Sequence, residues 1–148
     1  MQKRDPLWFL FPLYDSYAGP VRAENFDNPR MSPAIASIET LPEHMLLVVP
    51  GTDILVHEQL KFVERVKDEI ARDPAIAHAG RRVEALFVER GFHGYLGCES
   101  HTTVVSGQWL TRYAVPNLVV SQEQKDQAFN AGVDFIRDIY SKHGWKVW

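Results

Sequence analysis

Among the ionisable side chains of this 148-residue chain, Asp53 and His93 are the two whose positions suit joint chemistry. Each follows a short apolar run. "HMLLVV" (His44 to Val49) ends four residues before Asp53, and "VEALFV" (Val83 to Val88) ends five residues before His93. A carboxylate beside an imidazole fixes which ring nitrogen carries the proton and stabilises the imidazolium. The other nitrogen is then free to take a proton from a nucleophile. Gly91 and Gly94 flank the histidine and permit a tight loop. The same spacing fits a plainer arrangement, with Asp53 capping the helix behind it and His93 filling a turn.

Other reactive groups offer less. His44, His57, His78, His101 and His143 have no metal-ligand spacing, and the lone Cys98 makes no zinc site, so neither a metal nor any other cofactor is expected. Cys98 follows His93 by five residues, but nothing orients it as a thiol nucleophile, and it reads as a small packed residue. "GFHGYLG" has the glycines of a phosphate loop without a helix capped behind it.

Asp53 and His93 meet only if the two apolar runs are neighbouring strands. The first, closed by Pro50 and Gly51, has the continuous apolar pattern of a strand buried on both faces. From His57 the period changes. Leu60, Val63, Val66 and Ile70 recur at three- and four-residue spacing, with Lys61, Glu64, Arg65 and Asp68 between them, which predicts an amphipathic helix. That helix fades into "RDPAIAHAGRR" before the second strand, and a long loop runs from Gly94 to about Val120. Ser121 and Gln124 form a capping box that opens a last helix, with Phe129, Val133, Ile136, Ile139 and Tyr140 as its apolar face. Upstream, Ser32 as N-cap and Pro33 at the first helical position predict a short helix. Residues 1–31 carry Pro6, Pro12, Pro20 and Pro29 among many aromatics, which suggests irregular covering structure with room for one short helix. Strand, helix, strand in that order implies parallel neighbours joined by a right-handed crossover, an α/β architecture. Both loops then leave the carboxyl edge of strands ~4.8 Å apart. Open α/β sheets place their ligand sites at that edge.

Composition narrows the class. With 45% hydrophobic and 24% charged residues, the chain reads as an ordinary globular protein of single-domain size. A net charge of -3 gives no reason to expect a nucleic-acid partner or an anionic membrane. One cysteine forms no internal disulfide, which points to a cytoplasmic setting. Near the start, "LWFLFPLY" follows Asp5 and Pro6 and is broken by Pro12. It is too short to cross a bilayer, which needs ~20 apolar residues, and is expected to pack on the domain.

The stretch "SPAIASIETLPEHMLLVVPGTDILVHEQLKFVERVKDE", followed by "RRVEALFVERGFHGY", resembles the C-terminal half of α/β-hydrolases of the hormone-sensitive-lipase type, the fold-3 esterases. Ser32-Pro33, Leu41-Pro42, Asp53-Ile54-Leu55 with Glu58, and His93-Gly94-Tyr95 stand in the family's order. The likeness covers residues 30–95, with a looser match of the closing helix. His57 stands where the family often has an acid, Tyr95 replaces its usual Phe, and the Gly94–Val120 stretch is long.

The resemblance implies a partial α/β-hydrolase fold. Residues 32–148 would be its C-terminal strand-helix-strand-loop-helix part, and residues 1–31 a cap-like segment. It also implies Asp53 as triad acid, His93 as general base and a small-molecule ester as substrate. The family's serine stands on a G-x-S-x-G elbow ahead of both, with an HGGG-type loop for the oxyanion. None of Ser16, Ser32, Ser37, Ser100, Ser106, Ser121 and Ser141 has glycine two before and two after, and no HGGG-type loop is present. The expectation is therefore the C-terminal portion of an esterase without its nucleophile. Such a chain would be inactive alone and would self-associate through exposed sheet surface. The alternatives are a catalytically inactive relative that binds a small ligand or a partner, and a truncated gene product with no independent role.

Overall fold

The computed structural model describes residues 11–97 and 121–145. The expectations placed on residues 1–10, on Cys98, Ser100, His101 and Ser106, and on most of the Gly94–Val120 loop lie outside these. Two strands, β1 (His44–Pro50) and β2 (Arg82–Val88), pair in parallel, with register from His44↔Arg82 to Pro50↔Val88. The described residues also hold four helices, α1 (Phe11–Arg22), α2 (Val56–Arg72), α3 (Pro74–His78) and α4 (Gln122–Lys142), of which α2 and α4 pack on the strands. The order strand, helix, strand, helix and the parallel pairing are those of a small α/β arrangement.

Side-chain alternation along the strands divides the core in two. On one face Met45, Leu47, Val83 and Ala85 pack with Ile38 and with Val63 and Val66 of α2. On the other, Val48, Leu86 and Val88 pack with Phe92 and Tyr95 from the segment after β2. Apolar cover on both sides is what a parallel pair requires. The period in α2 is largely that expected: Val63 and Val66 are buried and Ile70 half-buried, while Leu60 is exposed.

Local signals were met unevenly. The Ser121 hydroxyl accepts the Gln124 N–H at 3.4 Å at the start of α4. Ser32 precedes only a three-residue 3₁₀ turn, Pro33–Ile35, and its side chain makes no cap bond. The fading stretch after α2 holds α3, opened by Pro74 and by the Asp73 side chain, which accepts the Ala75 N–H at 2.9 Å. Among the described residues no helix is long and apolar enough to cross a membrane.

The last helix turns a different face inward from the one its apolar stripe predicts. Lys125, Ala128 and Phe135 are buried, whereas Phe129, Val133, Ile136 and Tyr140 are 58%, 48%, 52% and 40% exposed. Arg82 on β2 meets the face that is turned inward. Its guanidinium pairs with Glu84 and with Asp138 of α4, and lies 5.0 Å from the centre of the Phe135 ring. Rolling the predicted stripe inward would break that ion pair and lift Phe135 off the guanidinium. Of the predicted stripe only Ile139 is half-buried, and the other four side chains are left outside.

Asp138 also receives Lys142 at 3.0 Å. Hydrogen bonds from Lys142 and then Arg82 hold its carboxyl below the ordinary value of 3.8. A carboxyl whose folded pKa is depressed stabilises the fold above its unfolded pKa, and that stabilisation is lost as pH falls through the folded value. Urea midpoints taken from about pH 5 down to about pH 2 are expected to fall less steeply in Asp138→Asn than in the wild type. Parallel curves would mean that the pair contributes nothing to folding.

Candidate active site

Both strands end at the same edge, and their loops are joined there by backbone bonds. The Gly51 and Gly91 N–H groups donate to the Val88 carbonyl at 2.8 and 2.9 Å. Thr52 donates twice to the Gly91 carbonyl, from its N–H at 2.9 Å and from its hydroxyl at 2.6 Å. The approach is close enough to require glycine at position 51, where a Cβ would lie 2.5 Å from the Glu89 carbonyl oxygen. Gly94 takes φ +80°, a conformation that glycine reaches without strain, and turns the chain directly after His93.

This joining brings Asp53 and His93 together. The Asp53 side chain is 3% exposed, and its Oδ2 lies 3.1 Å from Nδ1 of His93. Its Oδ1 accepts the Leu55 N–H at 3.0 Å, and its carbonyl accepts the Val56 N–H at 3.3 Å. Asp53 does not cap α2, whose N-cap is Leu55 with no side-chain cap bond; its Oδ1 closes a turn onto Leu55 just ahead of the helix, and its Oδ2 meets the imidazole. A carboxylate only accepts hydrogen bonds, so the contact places the proton on Nδ1 and the lone pair on Nε2. The His93 side chain is 46% exposed, and Nε2 has no hydrogen-bond partner among the described residues. A buried, doubly bonded carboxylate behind an accessible imidazole is the arrangement of an orienting acid and a general base.

Tyr95 lies under this edge. Its ring packs against Phe92 at 6.4 Å between centroids, and its buried hydroxyl has no partner among the described residues. Burial pushes the Tyr95 phenol above its ordinary pKa of 10.0. An unpaired buried hydroxyl of this kind costs about 1–3 kcal/mol.

Four serines that the structure describes are engaged elsewhere. Ser16 donates to the Pro12 carbonyl at 2.7 Å, Ser37 to Glu39 at 3.1 Å and Ser141 to the Asp138 carbonyl at 2.8 Å, while Ser121 caps α4. His44 stands at the opposite end of β1 with its ring 6.3 Å from that of His143, and no group of three potential ligands able to hold a metal occurs among the described residues. Sequence reasoning missed Thr52 altogether. Its partner lies 39 residues away, and no local pattern marks it out from an ordinary loop residue. Comparison with protein-family models, curated proteins and solved structures finds no match for this chain.

Proposed function

We propose that this chain is the C-terminal portion of a serine carboxylesterase or lipase-like α/β-hydrolase acting on small-molecule esters. It supplies Asp53 as the triad acid and His93 as the general base. The nucleophilic serine and the oxyanion donors come from outside it. The observation that carries this reading is the 3.1 Å Asp53–His93 contact at the carboxyl ends of two parallel strands, with Nε2 unpartnered among the described residues. In the reaction Nε2 takes the proton of the attacking hydroxyl and then returns it to the leaving alcohol, while Asp53 stabilises the imidazolium between the two transfers. The same reading includes self-association: each strand of the two-stranded sheet has one unpaired edge among the described residues, and Phe87 on β2 is 49% exposed.

The test begins by reading the coding sequence immediately upstream for HGGG and G-x-S-x-G. The chain joined to that segment is then assayed with p-nitrophenyl butyrate. The joined protein is expected to turn over, and His93→Ala to lower kcat by about 10⁴–10⁶-fold. On an unactivated ester such as ethyl butyrate the 148-residue chain alone is expected to stay at background, since a general base by itself gives only ~10²–10⁴-fold, too little for measurable turnover. A joined protein indifferent to His93→Ala would overturn the proposal. Absence of both motifs upstream would turn the reading to a catalytically inactive binding relative.

A further inference from the structure

The double bond from Thr52 to Gly91 holds more than the chain path needs. Any residue except proline would give the N–H bond at 2.9 Å, and that bond alone closes the two loops. The hydroxyl bond, at 2.6 Å and half-buried, requires serine or threonine. Its position is informative, because Thr52 adjoins Asp53 and Gly91 stands two residues before His93. The Gly91 N–H is held by the Val88 carbonyl, so with Thr52 on its own carbonyl the glycine is anchored on both sides. The loop carrying the carboxylate and the loop carrying the imidazole are thereby fixed to each other one and two residues from the groups that meet.

We propose that Thr52 is a positioning residue, whose hydroxyl holds the two loops at the separation that keeps the His93 proton on Nδ1. Its functional sense rests on the reading of Asp53 and His93 as acid and base. The geometric claim stands apart from any activity. The methyl group of threonine plays no part in it, so serine should serve as well and valine, which has threonine's shape without the hydroxyl, should not.

The experiment uses the full chain with ¹⁵N-labelled histidine. The His93 ring nitrogens are assigned by their loss in His93→Ala, and the Nδ1–H and Nε2–H forms are counted from their shifts. Wild type and Thr52→Ser are expected to share one tautomer ratio. In Thr52→Val the Nε2–H form is expected to rise about three- to ten-fold relative to Nδ1–H, the weight of one net hydrogen bond. Should Thr52→Val fail to melt cooperatively, Thr52→Ala replaces it with the same expectation. A wild-type tautomer ratio in the folded valine or alanine variant would overturn the proposal, as would a shifted ratio in Thr52→Ser. In the serine-bearing enzyme the same loss should lower kcat by about three- to ten-fold with KM unchanged. If that enzyme proves inactive, the proposed function fails while the tautomer result stands.

Discussion

Asp53→Asn will move the His93 proton from Nδ1 to Nε2 and, if the proposed serine-bearing enzyme is assembled, lower its kcat by about 10⁴-fold. The direction follows from the two bonds of the carboxylate. Oδ1 accepts the Leu55 N–H at 3.0 Å, and an asparagine must keep its one oxygen there to avoid facing donor to donor. Its amide nitrogen then takes the place of Oδ2, 3.1 Å from Nδ1 of His93. An NH₂ group only donates, so Nδ1 must accept and the ring proton moves to Nε2. The nitrogen that should receive the nucleophile's proton then already carries one. The turn into α2 keeps its bond, so folding should survive. Imidazole ¹⁵N shifts read the exchange directly in the isolated chain. A folded Asp53→Asn protein that retains the wild-type tautomer would show that Asp53 does not orient His93.

The second large effect lies in the packing of α4. Phe135→Ala is expected to cost about 3 kcal/mol or more, a large part of the 5–15 kcal/mol that holds a typical domain. The ring is 8% exposed and lies 5.0 Å from the Arg82 guanidinium, so truncation opens space against the sheet and strips Arg82 of its apolar support. Phe129→Ala, six residues earlier and on the exposed side at 58%, should change stability by no more than about 0.5 kcal/mol. Alanine's better helix propensity offsets what little packing is lost there. Urea midpoints of the two variants decide the matter. Similar losses, or a larger loss in Phe129→Ala, would mean that the apolar stripe is the buried face after all.

That contrast shows where sequence reading succeeded and where it stopped. The strands were legible because a continuous apolar run closed by Pro50-Gly51, and another ending before Glu89, leave little choice of period or length. Their parallel pairing followed from the amphipathic stretch between them, and from the pairing came the meeting of Asp53 with His93. The roll of α4 was hidden because hydrophobic periodicity counts only apolar area. The inward face of α4 instead meets an arginine on β2 that joins an aspartate and a phenylalanine 56 and 53 residues further on. Thr52 was hidden for a related reason: a hydroxyl bond across two loops leaves no trace in either loop's own sequence.

The two bonds of the Asp53 carboxylate bear on how copies of this gene would diverge. Selection for folding alone preserves the oxygen that closes the turn before α2, whatever becomes of catalysis. Among the described residues His93 has no such second employment, being 46% exposed and bonded through one nitrogen only. A lineage with no need of proton transfer would therefore be free to lose the histidine while keeping an aspartate or asparagine at position 53. The aspartate's survival would say little about activity, whereas a retained histidine would mark a lineage still under pressure to move protons.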